Sequence, residues 1–195
     1  METLTHIDLE VFQFINGSNT SSLDVILYYV GLRITWIPLY LALAFWIYKK
    51  SGWKTVLVAG AFAGVLILFT DVGSSWVIKP LFARLRPCHS DQFYFGEVHL
   101  LQNKCGGLYG FVSSHAANFF GLAFFVLVAF GKQSKVLPIT FFLTAILVSY
   151  SRVYAGVHYP ADVFFGAMYG MIIGFLVGYG FIQFNKNTNF RDLIA

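Results

Sequence analysis

One short segment of the chain places a histidine four residues before an aspartate, ahead of a long uncharged stretch. The segment is 151–162, and the pair is His158 and Asp162. A carboxylate at this spacing can hold one ring nitrogen of the imidazole and leave the other nitrogen free. An imidazole oriented in this way is a good nucleophile or general base. The pair is therefore a candidate for catalysis.

Cationic side chains lie in this segment and in a second short segment. Lys79 and Arg86 fall within 79–87, and Arg152 lies in the histidine segment. Arginine offers a forked donor to phosphate and lysine a compact charge, so these side chains can converge on one anion. Taken alone, their spacing is also explained by side chains that snorkel at the ends of membrane helices.

A third segment, 112–115, stands at the start of an apolar run. Ser113 or Ser114 can cap the helix predicted there, and the free N–H groups of a helix start form a ready anion site. His115 then lies in the first turn of that helix. By itself this histidine also fits a hydrogen-bonded side chain at a membrane interface.

The composition indicates that these segments belong to a membrane protein. The chain has 195 residues, of which 57% are hydrophobic and only 11% are charged. A soluble domain carries about 25% charged residues, and 22 phenylalanines are the opposite of a disordered composition. The formal charge of +4 comes from scattered lysines and arginines, so no nucleic-acid partner is predicted.

The apolar runs predict an all-α integral membrane helical bundle with about five transmembrane helices and a single domain over 1–195. A spanning helix needs about 20 apolar residues. The N-terminal segment 1–22 predicts an interfacial amphipathic helix with Ile7, Val11 and Phe14 on one face. A sixth, N-terminal span is the alternative. The five runs are 34–48, 55–70, 105–131, 136–151 and 163–185.

Lysines in the short connections predict the orientation. The positive-inside rule places lysine-bearing connections in the cytoplasm. The connections 79–111 and 150–162 then share the other side, which predicts a multi-pass membrane protein whose candidate catalytic residues face the outside. The cytoplasmic lysines are Lys49, Lys50, Lys54, Lys132, Lys135 and Lys186.

Both cysteines, Cys88 and Cys105, fall in the outer connection. A disulfide there would contribute on the order of 3 kcal/mol by loop-closure arithmetic, and two free thiols are the alternative. The spacing does not suit a metal site, because the cysteines form no CxxC pair.

Four further polar residues carry weaker expectations. Asp71 lies inside the second run and should have a structural partner. Arg33 is expected to snorkel, and His99 is expected to be solvated in the outer loop. Arg84 is a candidate for binding a second phosphate or a headgroup.

Taken together, the three segments resemble the signature KxxxxxxRP, PSGH and SRxxxxxHxxxD of the type-2 phosphatidic acid phosphatase family. The match runs in order over 79–162. Val112 replaces the usual proline and Ser114 the usual glycine, and neither change affects His115. Within the family, the chain is most similar to the small bacterial branch of undecaprenyl-diphosphate phosphatases.

The resemblance implies a phosphohistidine mechanism without a metal or other cofactor. In this family pattern His158 attacks phosphorus, Asp162 orients it, and His115 protonates the leaving oxygen and then activates water. The phosphoryl oxygens are held by Lys79, Arg86, Arg152, Ser113 and backbone N–H groups near Ser114.

The resemblance also implies a membrane lipid phosphate as substrate, with undecaprenyl diphosphate as the first expectation. Phosphatidylglycerophosphate, phosphatidic acid and a lipid A phosphate are alternatives. A lipid-linked phosphotransferase would use the same intermediate but pass the group to an alcohol. A transporter or scaffold with an anion site would bind the lipid without turnover.

Overall fold

The computed structural model describes residues 2–90 and 98–187. In this part of the chain every named element is helical, which confirms the predicted all-α membrane bundle. The helices are α1 (Glu2–Gly17), α2 (Ser21–Gly31), α3 (Ile37–Ile67), its π-helical continuation (Leu68–Ile78), α4 (Lys79–Phe82), α5 (Ser114–Phe130), α6 (Val136–Tyr154) and α7 (Pro160–Asn187). Three short 3-10 turns, Arg33–Trp36, Pro87–His89 and Leu101–Asn103, complete the elements.

The first long helical stretch, Arg33–Phe82, is a hairpin of two arms. Gly52 interrupts it with a φ of 78°, a conformation that glycine adopts without strain. A straight helix of this length would extend about 75 Å, yet the Arg33 guanidinium lies 3.1 Å from the Asp71 carboxylate. The arms therefore fold back on each other at Gly52, and they account for two of the predicted spans.

Helix α5 packs tightly against α7 through glycines. A Cβ added at Gly170 or Gly174 would collide with the α5 backbone at Ala117 or Gly121. Small residues allow membrane helices to approach this closely. Among the described residues, three helical stretches are long and apolar enough to cross a membrane (Arg33–Phe82, Val136–Tyr154 and Pro160–Lys186), and Ser114–Phe130 is a shorter apolar helix. With the two arms of the hairpin counted separately, these helices are consistent with the predicted five.

The N-terminal helices are too short to span. They have 16 and 11 residues against the about 20 required, so this part of the chain does not support a sixth span. The predicted apolar face of α1 (Ile7, Val11 and Phe14) is exposed, as an interfacial helix requires. The sequence did not predict α2 as a separate helix.

The opposite face of α1 packs on the rest of the chain through buried side chains. Asn16 donates to the carbonyl oxygens of His99 and Tyr154 at 2.8 and 2.7 Å. The sequence predicted a solvated His99, but the His99 ring lies 2.9 Å from the Asp24 carboxylate. These contacts join the N-terminal helices to the outer loop.

The loops fall at two ends of the bundle. Trp46 packs against Phe130 near the lysine-bearing turns, while 83–113 and 155–159 connect the helices at the other end. The predicted outer connection 79–111 begins later than expected, because Lys79–Phe82 is still helical. Residues 91–97 of this connection lie outside the described residues.

The disulfide between Cys88 and Cys105 is present, with the two Cα atoms 5.9 Å apart. It joins the segment that carries Arg86 to the segment just before Gly106. The prediction of a bridged outer loop is confirmed.

Candidate active site

The predicted polar residues meet at the loop end of the bundle. They line one cavity of about 370 Å³, to which the hairpin, α5, α6 and the loops all contribute. Three segments that are far apart in the sequence thus reach a single space. The predicted residues in its lining are Lys79, Arg86, Ser114, His115, Arg152 and His158.

His158 lies in the loop between α6 and α7, and Asp162 lies in the first turn of α7. The histidine is 2% exposed and the aspartate is fully buried. The carboxylate is 3.5 Å from ring atom Nδ1 of His158. This distance exceeds that of a good hydrogen bond, and such contacts in substrate-free sites often tighten only when the substrate binds. The pair has the predicted orientation of carboxylate toward imidazole.

Burial sets the protonation state of His158. Removal from solvent lowers the pKa of the His158 imidazole from 6.5 to about 4, although the nearby Asp162 carboxylate acts in the opposite direction. The ring is therefore neutral at physiological pH. A neutral imidazole has the free electron pair that a nucleophile needs.

The Lys79 ammonium is held at the cavity wall by the serine at the start of α5. Its Nζ donates to the Ser114 hydroxyl oxygen at 3.1 Å, and Ser74 donates to the same oxygen at 2.8 Å. The hydroxyl of Ser75 lies 3.2 Å away. These contacts fix the position of one cation in the cavity.

Arg86 is anchored by backbone carbonyls yet keeps an unused donor. Its Nη1 donates to the carbonyl oxygens of Val157 at 3.3 Å and Cys105 at 3.4 Å. Burial lowers the pKa of the Arg86 guanidinium. Its buried Nε has no hydrogen-bond partner within the described residues. A buried donor without a partner is costly.

Arg152, near the end of α6, extends its guanidinium into space left by a glycine. A Cβ at Gly31, the last residue of α2, would overlap that guanidinium. The N-terminal helix pair thus shapes the cavity wall. This relation involves two residues that sequence reasoning did not connect.

Ser113 lies beneath the cavity and is absent from its lining. Its buried side chain caps α5, accepting a hydrogen bond from the Ala116 N–H at 3.4 Å. The backbone N–H of Ser113 donates to the carbonyl oxygen of Asp162 at 2.9 Å. Of the two predicted capping serines, Ser113 is the cap and Ser114 reaches the cavity.

Arg84 contacts carboxylates, and it does not line the cavity. Its guanidinium donates to Asp162 at 2.8 Å and to Asp8 of α1 at 2.5 Å. It also lies over the Tyr159 ring, 4.2 Å from the centroid. The hypothesis that Arg84 binds a second phosphate has no support in this arrangement, because its donors are directed at the two carboxylates.

Three further charged residues of the cavity were not assigned to the site by the sequence. Arg33, Asp71 and Lys104 all belong to the lining. Asp71 has the structural partners that its position predicted, because it accepts hydrogen bonds from Arg33 and from Asn118 at 3.0 Å. Arg33, expected only to snorkel, pairs with Asp71 across the hairpin, and the symmetric placement of both residues about Gly52 was the available signal.

A second cavity, about 550 Å³ in volume and largely apolar, adjoins the polar one. It runs between the two arms of the hairpin and α5, from Arg33 to Ile47. At 1.5 Å per helical residue this is a length of about 20 Å. Arg33 and His115 line both cavities. A polar headgroup site thus continues into a groove suited to a hydrocarbon chain.

Cys88, His89 and Cys105 form the metal-type cluster found among the described residues. Both sulfurs of this cluster are joined in the disulfide and so do not offer thiolate ligands. Cations such as those that line the cavity with His158 can stabilise the negative charge of a phosphoryl group during transfer.

Comparison with known proteins gives consistent matches. The model of the PAP2 superfamily matches residues 55–186. A lipid A 4'-phosphatase from Bacteroides thetaiotaomicron is 34% identical over 176 residues, covering 90% of this chain and 77% of that protein. An undecaprenyl-diphosphatase from Sulfolobus acidocaldarius is 30% identical over 172 residues, covering 87% and 76% respectively. The crystal structure of Aquifex aeolicus LpxE matches with a TM-score of 0.58 and 30% identity, covering 87% of this chain and 93% of that chain.

Proposed function

Because the chain belongs to the PAP2 superfamily and is a membrane lipid phosphatase, we propose that it removes a terminal phosphoryl group through a phosphohistidine at His158. The observation that carries this proposal is the cavity in which His158, backed by Asp162, lies together with Lys79, Arg86 and Arg152. Undecaprenyl diphosphate is the proposed substrate. A lipid A phosphate is the second candidate, favoured by the relative at 34% identity.

In the proposed reaction, the free ring nitrogen of neutral His158 attacks phosphorus and forms an N–P bond. The bond from phosphorus to the leaving oxygen breaks, and His115 supplies the proton that this oxygen takes up. His115 then accepts a proton from water as the water oxygen attacks the phosphohistidine. Inorganic phosphate is released and His158 is restored.

The cations stabilise the charge that gathers on the phosphoryl oxygens. Lys79 and Arg86 approach the cavity from one segment of the chain, and Arg152 approaches it from another. Fixed positive groups in a water-poor site are effective because they need no reorganisation during the reaction. Arg86 lines the same cavity as His158, which supports contact of its guanidinium with an oxygen of the substrate.

The apolar groove supports a lipid as the source of the phosphoryl group. It opens beside His115, where the leaving oxygen is placed in the proposed reaction. A hydrocarbon chain in this groove would direct its phosphate toward His158. We further propose that the protein lies in the bacterial inner membrane with this site on the periplasmic side, because the lysine-bearing turns are at the other end.

The test is phosphate release by purified protein in detergent with excess EDTA, using undecaprenyl diphosphate, phosphatidylglycerophosphate, phosphatidic acid and lipid A. We expect His158→Ala to lower kcat by at least about 10³-fold. The matched control is His6→Ala at an exposed position of α1, which should leave the activity unchanged. Lipid labelled in its terminal phosphate should leave an acid-labile label bound to the wild-type protein and no label on the His158→Ala protein.

Two results would contradict the proposal. Full activity of His158→Ala would exclude this histidine as the nucleophile. Mass spectrometry that finds a phosphorylated alcohol in place of free phosphate would instead identify a lipid-linked phosphotransferase.

A further inference from the structure

Arg33 stands where the headgroup cavity meets the apolar groove. It shares this position with His115, since both residues line both cavities. Arg33 lies outside the three sequence motifs and outside residues 55–186 that match the family model. Neither the motifs nor the family match therefore explains why Arg33 lines the two cavities.

The proposed reaction determines which part of the substrate lies next to Arg33. His115 faces the leaving oxygen, so the next atoms of the substrate lie at the start of the groove. In a lipid monophosphate these atoms belong to an uncharged carbon skeleton. In a lipid diphosphate they belong to a second phosphate, which departs as an anionic lipid monophosphate.

Contacts of Arg33 hold its guanidinium at this junction. Nη2 donates to the Asp71 carboxylate at 3.1 Å, and Asn118 donates to the same carboxylate oxygen at 3.0 Å. A guanidinium has five N–H donors in a planar fork. Asp71 engages one nitrogen of this fork, and the Arg33 side chain is 59% exposed.

We propose that Arg33 binds the leaving-group phosphate and so makes the enzyme selective for lipid diphosphates over lipid monophosphates. This inference rests on the proposed function, because it takes His158 as the nucleophile and His115 as the group nearest the leaving oxygen. A forked donor matches phosphate geometry.

The test compares kcat/KM for farnesyl diphosphate and farnesyl monophosphate, which share one hydrocarbon chain. A hydrogen bond to a charged group contributes about 1.5–3 kcal/mol, equivalent to about 10- to 100-fold. We expect Arg33→Gln to lower the diphosphate-to-monophosphate ratio of kcat/KM by about this factor. Arg33→Lys should restore part of the ratio, because it retains the charge but not the fork.

Two matched variants separate anion binding from a structural role. Asp71→Asn removes the negative charge of the ion pair but keeps an amide oxygen that can accept from Arg33, so the ratio should stay within about threefold of the wild type. Lys104→Gln removes a cation that lines the polar cavity but not the groove, and should likewise leave the ratio unchanged.

Equal losses on both lipids in Arg33→Gln, or the same fall in ratio in Asp71→Asn, would overturn the role of Arg33 while leaving the phosphatase reaction intact. Failure of the wild type to release phosphate from either lipid would instead overturn the proposed function, and this inference with it.

Discussion

Arg84 donates a 2.8 Å hydrogen bond to Asp162, and the same guanidinium binds Asp8 of the N-terminal helix. Asp8 also accepts a hydrogen bond at 2.8 Å from the Ala161 N–H at the start of α7. The other carboxylate oxygen of Asp162 accepts from the Tyr159 N–H at 3.0 Å. These contacts fix the plane of the carboxylate that faces His158, so the interfacial helix forms part of the support of the proposed nucleophile.

The first prediction concerns Asp8. Asp8→Asn weakens the contacts that position Arg84 and, through it, Asp162. Misplacement of reacting groups by about 1 Å can cost up to about 10²-fold in rate. We expect kcat to fall at least about tenfold with little change in KM, because Asp8 is remote from the cavity lining. Steady-state kinetics on a lipid substrate measures both constants.

A matched control lies on the same helix. Glu10 is exposed and pairs only with His6 among the described residues, so Glu10→Gln should leave kcat unchanged. Equal kinetics of Asp8→Asn and the wild type would show that α1 does not support the site.

The second prediction concerns Gly31, whose missing side chain leaves room for Arg152. Gly31→Ala should displace the guanidinium and lower kcat/KM by about 10- to 100-fold, the range for losing a charged hydrogen bond. Alanine favours a helix over glycine by about 1 kcal/mol, so activity should fall without a parallel loss of thermal stability. The control is Gly17→Ala, where an added Cβ meets nothing within 4 Å.

The third prediction tests the groove. A Cβ at Gly60 or Gly64 meets nothing within 4 Å, although both glycines line the groove. Leucine at either position should occupy the groove without disturbing helix packing. Each buried methylene contributes about 0.8 kcal/mol, so excluding two of them should raise KM for a long-chain lipid about tenfold.

The soluble ester p-nitrophenyl phosphate has no chain to exclude, and its hydrolysis should change less than about twofold in these variants. Gly180→Leu is the matched control, because Gly180 lines a different apolar cavity on the outer side of the hairpin. Unchanged KM for the lipid in Gly60→Leu and Gly64→Leu would place the hydrocarbon chain elsewhere.

The sequence could predict the parts of the fold and site that rest on local patterns. Apolar runs of spanning length predicted the helices, and the i, i+4 spacing of His158 and Asp162 placed them together at the start of α7. The disulfide followed from two cysteines in one outer loop. Each of these features depends on residues that are close in the chain or share one short segment.

The contacts that sequence reasoning missed join remote residues and leave no periodic signal. Arg84 and Asp8 are 76 residues apart, and Arg33 and Asp71 are 38 apart. Each pair depends on how helices are packed in three dimensions. The same limit applies within one motif, because only the structure shows that Ser113 is the buried cap and that Ser114 reaches the cavity.

The fourth prediction concerns the titration of His158. Burial lowers its pKa in the folded protein to about 4, below the 6.5 of a solvated histidine. NMR of protein labelled at the histidine ring carbons, without substrate, should therefore show that the His158 imidazole stays neutral until the pH falls well below 6. His158→Gln identifies that signal by its loss.

The same shift makes folding depend on pH in a definite direction. The unfolded chain binds the proton at His158 more tightly than the folded chain, so this group lowers stability as the pH falls from about 6.5 to about 4 and has no effect above that range. Thermal unfolding in detergent should show a smaller loss of stability between pH 7 and pH 4.5 for His158→Gln than for the wild type. Identical losses, or titration of the assigned His158 signal near 6.5, would mean that His158 is solvated in the folded protein.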